Sequence, residues 1–175
     1  DGSTTGSSDD ISAEGLWRGI TDTGRAVSGV VLDDDTYWFI YSSIGNFNVI
    51  AGVAQGNGIS APDSNDSGFF NSYDGRDFNF EGLGVSDFTL DSFYWALNSI
   101  VPSPRFDGSI NYSSSTTTFE SSYDFNYDST PSLTDIAGTY DGAAYTSGGP
   151  DSATVTITNA GTVDGSGASG CLFSG

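Results

Sequence analysis

The stretch from Gly15 to Ser43, GLWRGITDTGRAVSGVVLDDDTYWFIYSS, constrains the fold more than any other part of the chain. Three apolar runs are parted there by two turn clusters, Asp22-Thr23-Gly24 and Asp33 to Asp35. Each cluster lies between β-branched or aromatic residues, as hairpin turns do. This is the pattern of a three-stranded meander. Its last run, Thr36 to Tyr41, is apolar or aromatic on both alternating faces, with Tyr37, Phe39 and Tyr41 on one and Trp38 and Ile40 on the other. Such a strand is expected to be covered on both sides, which places it at the centre of an all-β, antiparallel sandwich or barrel.

The chain of 175 residues has 23 acidic and 4 basic residues, a net charge of −19, and no His. All four cations are Arg, and Lys is absent. A chain of this sign repels phosphate backbones and anionic lipid, so nucleic-acid binding is not expected. High acidity alone would suggest disorder, but 24 aromatic residues (3 Trp, 9 Tyr and 12 Phe) accompany it. Each ring can bury roughly 150–250 Å², a gross gain of about 4–6 kcal/mol at about 25 cal/mol per Å². The chain therefore has the means to build a core. No apolar run reaches the roughly 18 residues of a transmembrane helix. A charged, apolar-cored signal segment is also missing at Asp1, as in a processed, mature product.

Residues 1–13 are Ser, Thr, Gly and Asp with little to bury and read as a flexible acidic leader. A main β domain is expected over 14–124. After the meander it has a strand at Phe47 to Gln55 and a loop from Gly56 to Gly75. Arg76 to Glu81 follows, with Phe78 and Phe80 inward and Asp77, Asn79 and Glu81 outward. Between Asp87 and Ile100 the apolar parity changes, from Phe88 and Leu90 to Phe93, Trp95 and Leu97, which a bulge near Asp91 and Ser92 would reconcile. Phe106 to Tyr112 and Thr116 to Tyr123 form a hairpin with Phe119 and Tyr123 inward. The expected core comprises Trp17, Trp38, Phe39, Ile40, Phe78, Phe80, Trp95 and Phe119. A connector over 125–136, with one short helical turn near Leu133, leads to a C-terminal β motif over 137–175. There Ala137 to Gly142 echoes Glu14 to Gly19, and Ser152 to Asn159 carries Ala153, Val155 and Ile157 on one face. With two evident strands and a terminal run, that motif is too small to stand alone. It is expected either to dock on the main domain or to be completed by another chain through Val155, Ile157 and Cys171.

Candidate chemistry is sparse. Asp63, Asn65, Ser67 and Asp74 fall at positions one, three, five and twelve of a calcium-loop pattern with Gly68 at six, although Asp replaces the usual Glu and no helices flank it. A solvated loop has the same composition. With no His and no Lys, the usual triads and Schiff-base chemistry are missing, and nothing selects a glycosidase pair from 23 acids, so no enzyme is expected. The lone Cys171 reads as a small buried hydrophobe, as a thiol with a partner elsewhere or, least of all without a nearby cation, as a nucleophile. Gly15-Leu16-Trp17 matches the Gly-x-Trp start of lipocalin-like barrels, a tripeptide that ordinary core packing also produces.

The segments GLWRG, TGRAVSGVVLDDDTYWFIYS, VIAGVAQGNG, IAGTYDG and GASGCLFSG together resemble a family of Gram-negative secreted or lipid-anchored cell-envelope β-proteins. The resemblance covers nearly all of the chain after Ala13. It implies an exported surface protein without a catalytic centre, a lipid anchor upstream of Asp1 in some members, and further strands with a second cysteine beyond the Gly-Cys segment. Two functions fit these observations. One is an extracellular structural or adhesive protein that assembles with itself, as a filament joined by strand pairing. The other is a lipocalin-like or sandwich-type module that binds a small apolar or carbohydrate ligand.

Overall fold

The structure, a computed structural model, describes residues 12–64, 66–82, 84–95, 103–146 and 148–175. Eight antiparallel strands make a closed up-and-down barrel: β1 (Gly15–Thr21), β2 (Ala26–Val31), β3 (Thr36–Ser43), β4 (Asn46–Pro62), β5 (Ser67–Asn79), β6 (Gly84–Trp95), β7 (Arg105–Tyr112) and β8 (Thr116–Tyr123). Pairing of β1 with β8, from Trp17 opposite Tyr123 to Thr21 opposite Phe119, closes it. Gly24 (φ 81°), Asp35 (φ 63°) and Gly45 (φ 71°) supply left-handed turn positions at the first three reversals. A second compact unit, 128–175, holds a helical turn α1 (Leu133–Ile136) and a four-stranded antiparallel sheet. Its strands are β9 (Gly138–Thr146), β10 (Gly149–Ile157), β11 (Val163–Gly167) and β12 (Leu172–Ser174), in the order β12-β11-β10-β9. Among the described residues no helix is long and apolar enough to cross a membrane.

The barrel interior is filled by aromatic rings, and several of the inward tyrosines and phenylalanines are set over a glycine on the neighbouring strand. Phe39 lies opposite Gly29, Tyr37 opposite Gly56, Tyr41 opposite Gly52, Tyr94 opposite Gly68 and Phe88 opposite Gly75. In each pair the ring occupies the space where a Cβ on the glycine would project. The pairing explains why a chain so rich in aromatics is equally rich in glycine: a narrow barrel accommodates these rings only where the facing wall is bare. The stretch Gly56 to Gly75, expected as a loop, is instead the long hairpin of β4 and β5. Its glycines are positions of ring contact, not breaks in the strands.

Several expected core positions are corrected. Trp38 and Ile40 lie outside the barrel, 39% and 41% exposed, because a closed barrel encloses only one face of its strands. Phe78 and Phe80 are half-buried, and Asp77 points inward in their place. The cause is an extra residue in β5 between Ser72 and Gly75, which shifts the inward parity from Phe70 and Ser72 to Gly75 and Asp77. No bulge is present at Asp91 and Ser92: Phe88, Leu90, Ser92 and Tyr94 run inward without a break. Phe93 and Trp95 therefore face outward, in a half-buried external cluster with Phe69 whose ring centroids are 4.5 and 4.9 Å apart. Trp17, Phe39 and Phe119 are buried, as expected.

In the C-terminal unit β10 is central, paired on one side with β9 and on the other with β11. Val155 and Ile157 thus have no open backbone edge to offer another chain. The terminal run is two strands, β11 and β12, parted by a turn through Gly170 (φ 88°). Cys171 in that turn is exposed and makes no disulfide.

Candidate functional site

The two ends of the barrel differ. At one end Trp17 packs on Phe106 and Tyr123, with centroids 5.4 and 5.3 Å away, and its indole N–H donates to the Ala13 carbonyl at 2.9 Å. The Ala13 N–H donates to Ser60 Oγ at 3.2 Å, and the Asp35 carboxylate holds the Ser60 N–H and hydroxyl at 2.8 and 2.6 Å. Among the described residues, these contacts cover Trp17 at that end. Among the described residues the interior keeps an apolar void of about 20 Å³ between Val27, Phe39, Leu90 and their neighbours, near the size of one water.

The other end is an open mouth of about 630 Å³. Four hairpins bring its wall together: Thr21, Thr23 and Arg25 from β1–β2, Tyr41 and Ile44 from β3–β4, Asp77, Asn79 and Ser86 from β5–β6, and Tyr112 to Ser115 from β7–β8. Val27 and Ile110 line both the mouth and the void, so the polar mouth stands directly on the apolar core. Asp77 joins two tyrosines of this wall. Its Oδ1 accepts from the Tyr41 hydroxyl at 2.7 Å and its Oδ2 from the Tyr112 hydroxyl at 2.9 Å. Burial, and then the neighbouring Asp77 carboxylate, push both phenols well above the ordinary tyrosine range, and Arg25 opposes the shift weakly. Arg25 spans the wall: Nη1 donates to the Ser42 carbonyl at 2.8 Å, Nη2 to Glu81 Oε2 at 2.9 Å, and the guanidinium lies 5.4 Å from the Tyr41 ring centroid. Hydrogen bonds from Ser43 and then Arg25 hold the Glu81 carboxyl below its usual range.

The expected calcium loop is not assembled. Ser67 opens β5, whereas Asp74 lies seven residues along the same strand, roughly 23 Å at about 3.3 Å per residue. Asp74 is engaged at the bulge instead, accepting from Asn57 N and Nδ2 at 2.9 and 2.8 Å and from Ser72 Oγ at 3.1 Å. These bonds, the Asn57 side chain first, keep its carboxyl below the usual range. Asp63 stays in the β4–β5 turn, where its N–H donates to the Ser67 carbonyl at 2.9 Å, and Asn65 lies outside the described residues. Among the described residues no three acids or cysteines gather as a metal site.

Sequence reasoning missed the mouth because its lining residues come from four turns far apart in the chain. Asp77 gave no local signal, since it fits the outward phase of the alternation from Arg76 to Glu81 until the extra residue in β5 turns it inward. No family model matches the chain, and neither a curated protein nor a solved structure was found to match it.

Proposed function

We propose that this chain is a non-catalytic, extracellular binding module whose barrel takes a small polar ligand, such as a carbohydrate, in its open mouth. One observation carries the reading. Four barrel hairpins enclose a hydroxyl- and carboxylate-lined mouth of about 630 Å³, a volume in the range of ligand sites. The apolar version of the lipocalin-like reading has no comparable support, since the interior void is about 20 Å³. Serine and threonine hydroxyls at 113–115, 21, 23 and 117, with the Asn79 amide, offer donors and acceptors of the kind that neutral polyols satisfy. An extracellular or outer-surface location rests on the resemblance to envelope β-proteins. Calorimetric titration with neutral mono- and disaccharides, beside a fatty acid, tests the reading. Saccharide binding that weakens in Asn79→Ala supports it; binding of the fatty acid alone overturns it.

Self-assembly by strand pairing is a second reading, and the edge of the C-terminal sheet favours it. Strand β9 is nine residues long and pairs only with β10 among the described strands, leaving a row of backbone donors and acceptors along its outer side. Light scattering of the intact protein and of Ala143→Glu, a charge on that edge, decides the matter. A mass above the monomer that falls in the variant supports pairing through β9; an unchanged monomer in both removes it.

A further inference from the structure

We infer that the barrel mouth selects a ligand carrying a protonated amine, with Asp77 as the group that receives it; this rests on the proposed function of the mouth. Asp77 is 6% exposed, yet among the described residues no guanidinium stands within ion-pair distance of it. Both recorded side-chain partners are phenols, which are neutral donors. A carboxylate has about four lone-pair positions, and the two phenols engage one on each oxygen. Asp77 nevertheless lines the mouth, as do both of its phenol partners, Tyr41 and Tyr112.

The other charges of the mouth reinforce the choice. Arg25 takes Glu81 at 2.9 Å and the Ser42 carbonyl as its partners, so the cation in the wall is directed to Glu81 rather than to Asp77. Asp87, on the same wall, is exposed, and its partner Arg76 stands 3.7 Å away with both side chains largely in water. The mouth therefore carries unbalanced negative charge in a chain of net charge −19, which disfavours anions and raises the local concentration of cations. A buried carboxylate without a cation is costly, and an ammonium that donates to it relieves that cost directly. The hydroxyl-lined rim at Ser113, Ser114 and Ser115 suits a polyhydroxylated body around the amine. A hydroxylated primary amine, such as an amino sugar, is the ligand class that answers both features.

Calorimetric titration of the intact protein with glucose, glucosamine and N-acetylglucosamine tests the inference, because acetylation removes the charge and keeps the hydroxylated ring. Glucosamine is expected to bind about tenfold more tightly than either neutral sugar, the difference between a charge-assisted and a neutral hydrogen bond, about 1.4 kcal/mol. Added salt should narrow the gap, and Asp77→Asn should abolish it. Should Asp77→Asn fail to fold, Tyr112→Phe is the second variant: it removes one donor from the Asp77 carboxylate and should widen the preference. Equal affinity for all three sugars overturns the amine inference and leaves the polar-ligand reading standing. Binding of none of them overturns both. A preference that survives in a folded Asp77→Asn, or that does not widen in Tyr112→Phe, refutes the assignment to Asp77.

Discussion

Replacing Gly29 by alanine sets two well-characterised effects against each other. Gly29 lies within β2 at an ordinary backbone conformation, where local propensity favours alanine over glycine by about 0.5–1 kcal/mol. Packing argues the other way. The added methyl would project into the ring of Phe39, its directly opposed neighbour on β3. Phe39 has little freedom to yield, since it stacks on Phe106 at 6.0 Å and 14° and packs against Tyr37 at 5.7 Å. Overpacking of this kind costs about 1–3 kcal/mol, so a net destabilisation of roughly 1–2 kcal/mol is expected. Urea unfolding followed by tryptophan fluorescence should show the midpoint falling by roughly 0.5–1 M at constant slope. In a Phe39→Leu background the same Gly29→Ala change should cost under about 0.5 kcal/mol, which gives a coupling energy of about 1 kcal/mol. Gly84→Ala is the control, because its new Cβ would meet only the Gly82 carbonyl at 3.9 Å, and that variant should be neutral or slightly more stable. A neutral Gly29→Ala, or an equal cost in both backgrounds, would refute the idea that facing glycines make room for the rings.

Removing the Asp77 carboxylate with Asp77→Ala takes the acceptor from two half-buried phenols and should lower stability by about 1–3 kcal/mol in the same assay, whereas Asp91→Ala, exposed on β6, should change it by less than about 0.5 kcal/mol. Tyr37 is pushed up to about 12, chiefly by burial, and Tyr41 and Tyr112 are raised as well, so all three bind their protons more tightly folded than unfolded. Their contribution is complete below about pH 10 and declines as pH rises from there towards 12; Tyr41→Phe with Tyr112→Phe should flatten that decline, and an alkaline melting profile identical to the parent would count against it. A chain ending at Tyr127 keeps every barrel strand and should melt within about 5 °C of the parent's barrel transition, a shift worth about 1 kcal/mol or less; loss of near-ultraviolet circular dichroism would show that the second unit is required.

The architecture was legible in the sequence where local chemistry decides it. The turns at Asp22 to Gly24 and Asp33 to Asp35 reverse the chain through positive φ at Gly24 and Asp35. The hairpin around Ser113 to Ser115 likewise follows its pattern, with Tyr112 N–H donating to the Ser115 carbonyl at 2.8 Å. What stayed hidden depends on partners far along the chain. Gly56 to Gly75 reads as a loop until Tyr37 and Phe88 are seen against Gly56 and Gly75. One extra residue near Asp74 reverses the parity of Asp77 and Phe78, and a two-residue period carries no mark of where such a residue falls. Apolarity on both faces of Thr36 to Tyr41 suggests cover on both, but sandwiches and barrels alike bury only the inner face, and Trp38 and Ile40 stand on the outer one. The site was less legible than the fold, since Arg25, Tyr41, Asp77 and Tyr112 share no local spacing.

Every barrel pairing but one joins strands adjacent in sequence, and the exception, the seam between β1 and β8, brings Trp17 to Tyr123. For a bare chain, closing a loop of about one hundred residues costs roughly 2 kcal/mol more entropy than closing one of ten. Seven hairpin contacts can therefore form at local speed, while the seam must wait for the last strand to arrive. Until then both β1 and β8 present open edges, and the rings of Trp17 and Phe119 lack the neighbours that the closed wall provides. During synthesis this interval lasts until Tyr123 has left the ribosome. The slowest refolding phase, and the window in which the chain is most exposed to aggregation, should accordingly belong to the seam and respond to Gly19→Ala, whose Cβ would meet the Glu120 carbonyl across it.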